Sequence, residues 1–200
     1  MKMINNLIII LFISTIFYSC ETSPYLILEK KELSSGVRYD SLFLGVKFGM
    51  SSEEFYSHCW ELNKQELIKQ GPSNSSVKYL LPTKSNGQNI EMLFYPNFNN
   101  DTIFEVNTEF SYTAWAPWNK DLFSDSLIKE IKTLLSGWYK SDFIEIKNPE
   151  NEKYLYVTVN GNRRITLTIM DDRKVRARFT NLLIEKKINY LSSYLLLKLM

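Results

Sequence analysis

Two hundred residues and 23.5 kDa make one domain of ordinary size or two small ones; at 44% hydrophobic and 23% charged, the chain can bury a core. A formal charge of +2, from 24 basic against 22 acidic side chains, gives no excess that would draw nucleic acid. One histidine and two cysteines exclude a His-rich metal site and an intramolecular disulfide framework, so no metal and no cofactor is expected.

The chain opens MKMINNLIIILFISTIFYSC, with Lys2 ahead of an apolar run from Leu7 to Tyr18. Twelve residues are too few to span a bilayer, which takes ~20, but they suit the core of a secretory signal. The run ends at Phe17-Tyr18-Ser19-Cys20. This resembles the lipobox of bacterial lipoproteins, in which a small residue precedes a cysteine that is acylated and becomes the mature N-terminus. Ser19 and Cys20 fit that pattern, whereas Phe17 and Tyr18 stand where Leu and a small residue are usual. The overall look is that of lipoproteins of the Bacteroidetes. The resemblance implies removal of residues 1–19, palmitate-type acylation at Cys20 and anchoring in the cell envelope; Glu21, where Asp would mark inner-membrane retention, favours the outer membrane. Unprocessed, the same run would act as a plain N-terminal anchor. With Cys20 acylated, Cys59 has no intramolecular partner and is expected to be buried and inert.

Residues 20–40 show no sustained period and read as a lipidated tether with one short strand at Tyr25–Leu28, reaching ~25 Å. Residues 41–200 form the single folded domain. In GMSSEEFYSHCWELNKQELIKQG, Ser51 and Glu54 make a capping box and Met50 with Phe55 a hydrophobic staple. Phe55, Cys59 and Leu62 continue one face, so a helix is predicted from Ser52 to about Gln65, with Gly71-Pro72 as a stop. Strands follow at Val77–Leu81, Asn89–Tyr95 and Thr102–Thr113, with turns at Gly87 and Asn97–Asp101. A second helix is predicted over Asp121–Ser136, with Leu127, Ile131, Leu134 and Trp138 on its stripe and Gly137 as its stop. Strands return at Phe143–Lys147, Lys153–Val159, Arg163–Met170 and Lys174–Thr180. A last helix, Leu182–Lys198, aligns Ile184, Ile188, Leu191, Leu195 and Leu199.

Turns this short forbid parallel crossovers, so the fold class is α+β: a largely antiparallel sheet with helices packed on one face, in two helix-plus-strands units. A helix opening at Gly49-Met50-Ser51 ahead of Glu53-Glu54, together with this element order, resembles the small envelope folds of the BamE/SmpA and beta-lactamase-inhibitor-protein type. No functional residue is carried over from that resemblance.

Register can be tested against face over Tyr154–Phe179. With Asn160-Gly161-Asn162 as a loop, Val159 faces Arg163 and Val157 faces Ile165. With Asp171-Asp172-Arg173 as a loop, Ile169 faces Val175, Leu167 faces Ala177 and Ile165 faces Phe179. One face is then aliphatic, and the other carries Tyr154, Tyr156, Arg164, Lys174, Arg176 and Arg178. Five of the six arginines fall between 163 and 178. Those six residues are the candidate ligand site: guanidinium groups beside tyrosines hold carboxylate, phosphate or sulfate, and stack on sugars or rings. The same face is equally what the solvated side of an antiparallel sheet looks like.

Other signals carry less. His58 and Cys59 are helix neighbours about 100° apart and do not meet. Phosphate-loop glycines and catalytic motifs are absent from the sequence, so no catalytic residue is assigned. Trp115 and Trp118 either close the end of the core or line a sugar or membrane contact. The last helix is broken by Glu185-Lys186-Lys187, so it docks on the sheet, or lies in a membrane interface, or packs on a second protein. Two functions follow: a membrane-anchored, non-catalytic binding or assembly module engaging an anionic envelope component or a protein, or an envelope enzyme using dispersed carboxylates or tyrosines.

Overall fold

A computed structural model describes residues 23–199 except 73–74, 86–87 and 148–153. The signal, the lipobox with Cys20, the Gly87 turn and the Lys153 strand start therefore lie outside the described residues.

Among the described residues, four helices and eight strands build an α+β fold on one antiparallel sheet. Helix α1 is Pro24–Ser34 and α2 is Ser52–Lys64. Strands β1 (Ile68–Gln70), β2 (Val77–Ser85), β3 (Gln88–Asn99) and β4 (Thr102–Tyr112) form one meander. A 3-10 turn at Lys120–Leu122 leads into α3, Ser124–Tyr139. Strands β5 (Ile144–Lys147), β6 (Tyr154–Asn160), β7 (Arg163–Ile169) and β8 (Val175–Asn181) form a second meander, and α4 (Leu182–Leu199) follows. The strand order is β1-β2-β3-β4-β8-β7-β6-β5, so the last strands of the two meanders meet in the middle.

The capping box at α2 is complete: the Ser51 hydroxyl accepts from the Glu54 N–H and the Glu54 carboxylate accepts from the Ser51 N–H at 2.7 Å. Met50 and Phe55 are both buried in the core. The helix ends at Lys64 with Gln65 as its cap, as the sequence pattern indicates, because Glu66 takes a positive φ of 58° and Ile68 turns into β1. In α3 the buried stripe is Leu127, Ile128, Ile131 and Leu135, rotated from the expected one, with Trp138 exposed. Gly137 lies inside this helix, and Lys140 in a left-handed conformation terminates it.

Side chains on one sheet face (Met92, Phe94, Val106, Phe110, Ile165, Leu167, Val175, Ala177 and Phe179) enter a single core under α3 and the segment Leu42–Met50. Phe43 ties the two meanders together, edge-on to Phe94 at 5.1 Å and to Phe179 at 5.3 Å.

The Asp171–Arg173 loop gives the expected pairs Ile169↔Val175, Leu167↔Ala177 and Ile165↔Phe179. The preceding hairpin differs by one residue. Its loop is Gly161-Asn162, so Asn160 pairs with Arg163, Thr158 with Ile165 and Tyr156 with Leu167. That slip turns Val157 and Val159 to the outer face, where they are nevertheless buried, and brings Tyr154 and Tyr156 to the core face. The cause is α1. Residues 24–34 are a helix, not a tether with a strand, and it packs on β6 from the outer side. With both sheet faces covered at this end, apolar alternation no longer selects the register.

Gly161 makes the tight turn possible: φ is +51°, and a Cβ there would collide with the Val37 carbonyl oxygen. Its N–H donates to Glu32 of α1 at 3.0 Å. Helix α4 joins α1 on the outer face: Arg164 meets Glu185 at 2.5 Å, Lys186 meets Glu29 at 2.5 Å, and Tyr25 hydrogen-bonds both Glu29 and Arg164. Helices therefore pack on both faces, where one was expected.

Candidate functional site

Four of the six candidate residues share the outer face, and each meets a carboxylate. Glu109 on β4 accepts from Lys174 at 2.9 Å and from Arg176 at 3.0 Å. The Arg178 Nε lies 3.4 Å from the Asn107 oxygen and 3.7 Å from Glu105. Glu105 also accepts from Asn97 and Thr180. Arg164 belongs to the α1–α4 contact, where it is largely enclosed. Burial alone would raise the Glu109 carboxyl, but the hydrogen bonds from Lys174 and Arg176 outweigh it and hold it below the usual range. The arginine stripe is thus a ladder of both signs, and an incoming anion would compete with carboxylates already in place.

Tyr154 and Tyr156 are not part of that ladder. Tyr156 lies under Lys132 of α3, whose ammonium stands 4.6 Å from the ring centroid. Arg163, on the core face, stacks on Tyr139 at 4.2 Å and donates to the Ser41 carbonyl at 2.8 Å.

A feature not visible in the arginine pattern lies further along the same sheet. Strand β2 starts at Val77, opposite Phe94, so among the described residues no strand pairs with β3 on that side at Tyr95 and Pro96. This free edge is what admits Pro96, which has no N–H to donate. Two hollows open beside Tyr95. One, of about 330 Å³, is lined by Pro72, Ser75, Ser76, Leu93, Asn107, Glu109 and Lys174. The other, of about 350 Å³, lies against α2 and is lined by Phe55, Tyr56, Cys59, Trp60, Asn63 and Ile68. Tyr95 lines both, and its hydroxyl meets that of Tyr56 at 2.6 Å. That hydrogen bond, with burial, pushes the Tyr95 hydroxyl up, so it stays neutral. Trp60 is 62% and Tyr95 37% exposed. Tyr56 and Trp60, one turn apart on the polar side of α2, are the signal in the sequence that could have found this groove.

The remaining candidates are structural. His58 Nε2 lies 2.6 Å from the Leu44 carbonyl. Cys59 is half-buried, and burial pushes its thiol up to about 11, which keeps it protonated and unreactive. Trp115 packs on the core beside Phe123, whereas Trp118 is 84% exposed. Among the described residues no group of three or more His, Cys, Asp or Glu could hold a metal ion, and no helix is long and apolar enough to cross a membrane.

The architecture is thus an α+β protein with one eight-stranded antiparallel sheet and a groove at its free β3 edge. Compared with known proteins, the chain matches no family model, no curated protein and no solved structure.

Proposed function

We propose that this chain is a lipid-anchored envelope lipoprotein, acylated at Cys20, that acts as a non-catalytic binding or assembly module for a protein partner. The carrying observation is the groove at Tyr95. Exposed Tyr56, Trp60 and Tyr95 adjoin a ladder of alternating Glu and Lys/Arg. Aromatic anchors beside charges of both signs suit a protein surface, where rings fill pockets and paired charges fix orientation. A compact anion would meet cations already paired with carboxylates there. The sequence supports the anchor through the apolar run 7–18 and Ser19-Cys20.

A photo-crosslinking residue in place of Trp60, in the intact cell envelope, should capture one discrete partner, and the same residue at Lys129 of α3 should not. Capture should be lost when Tyr95→Asp is added. Equal capture at both positions, or none at Trp60, argues against the groove. Anchoring is tested separately: Cys20→Ser should leave a larger precursor without fatty-acid label. Normal maturation and labelling of that variant would refute acylation at Cys20.

A further inference from the structure

The N-terminal helix lies against the sheet with Tyr25, Leu28, Glu29, Glu32 and Leu33, leaving Leu26, Ile27, Lys30 and Lys31 exposed on its opposite side. Helix α4, beside it, exposes Leu183, Lys187, Tyr190 and Leu191 on its own outward side. Two features make these sides belong together. Both helices share the outer layer of the sheet, joined to each other by the Glu29–Lys186 ion pair and through Arg164 of β7, which meets both Tyr25 and Glu185. Each presents apolar side chains flanked by lysines, while Glu29, Glu32, Glu185 and Lys186 are turned to partners.

What covers this layer follows from where the chain enters it. Cys20 precedes Pro24 by four residues, and four residues span at most ~14 Å when fully extended. An acyl chain on Cys20 is buried in the hydrocarbon, so the first turn of α1 is held within ~14 Å of the interface. Leu26 and Ile27 sit in that first turn. A long flexible tether would let the domain float free; the helix at Pro24 removes that freedom.

We infer that the outward sides of α1 and α4 form a membrane-contact surface, with Leu26, Ile27, Tyr190 and Leu191 entering the headgroup region and Lys30, Lys31 and Lys187 facing anionic phospholipid. Rings and aliphatic side chains next to lysines are the composition such interfacial helices use. The Tyr95 groove lies towards the other end of the sheet from β6 and α1. The inference rests on acylation at Cys20 and adds to it a fixed orientation on the bilayer.

The test uses the full acylated chain, with Cys59→Ser, in vesicles of phosphatidylethanolamine with a minority of phosphatidylglycerol. Bimane is attached at Ile27→Cys, at Tyr190→Cys, or at Lys129→Cys on α3, which packs on the opposite sheet face. Replacing the lipids by acyl-brominated forms should quench positions 27 and 190 by about twofold or more and leave 129 unchanged. Protein that floats with the vesicles yet is no more quenched at 27 and 190 than at 129 overturns the contact surface while the anchor stands. Protein that carries no fatty acid and does not float refutes the anchor, and the orientation with it.

Discussion

Phe55 and Ser51 show how differently neighbouring residues can matter at one helix start. Phe55 is 1% exposed and meets Tyr56, Tyr95 and Phe98 edge-on. Ser51 is half-exposed, and its hydroxyl supplies one hydrogen bond of the cap. Removing the ring deletes transfer energy and leaves a cavity, so Phe55→Ala should lower stability by ~3–5 kcal/mol. Ser51→Ala should lower it by only ~0.5–2 kcal/mol. Denaturant midpoints of the two variants check this, and a smaller effect from Phe55 than from Ser51 would mean that the helix start is held by its cap alone. Both roles were legible because the signals are local: a Ser-x-x-Glu spacing and an apolar residue at a fixed offset. Phe43 was not legible. It lies in an irregular segment, and its two ring partners are distant in sequence.

At the scale of elements, α1 is the instructive miss. Its buried side holds Tyr25, Glu29 and Glu32 and is joined to α4 and β6 by hydrogen bonds and ion pairs, so no apolar period marks it in the sequence. The β6–β7 register was misread for the same reason. Face-matching assumes that one sheet face is wet, and α1 makes that untrue at β6, whereas at β8 the assumption holds and the pairs came out as expected. The α1–α4 contact also carries a pH signature. Burial alone would raise Glu29, but hydrogen bonds from Lys186 and Tyr25 and the nearby Arg164 charge outweigh it and lower the carboxyl. A carboxyl depressed in the folded state contributes stability above its unfolded value of about 4.3, and that contribution is lost as pH falls through the folded value. Glu29→Gln should therefore destabilise the protein above about pH 5, with the difference from wild type closing towards about pH 3. Urea midpoints across that range check it; a difference independent of pH would show that Glu29 acts through packing or neutral hydrogen bonds.

For the whole molecule, the twice-used helix-plus-four-strands order raises the question of whether the halves stand alone. Apart from α1 and the short β1, the element order and the antiparallel pairing within each meander were legible from turn lengths and alternation. Nothing local announces that β4 pairs with β8, because that contact joins residues about seventy apart, such as Glu109 and Arg176. The consequences are large. Val106, Phe110, Val175 and Phe179 meet in one core across that seam, and α3 contacts β4, β7 and β8 together. A half exposed at this seam would lose its central strand neighbour and present an unpaired apolar edge. Phe43 spans the seam, touching Phe94 from one half and Phe179 from the other. Unfolding should therefore be a single transition with equal calorimetric and van't Hoff enthalpies. Phe43→Ala should move that whole transition down, by ~3–5 kcal/mol, without splitting it. Differential scanning calorimetry of both proteins gives the answer. Two resolved transitions in the wild type would mean that the halves are independent domains, and two in the variant alone would identify Phe43 as the residue that couples them.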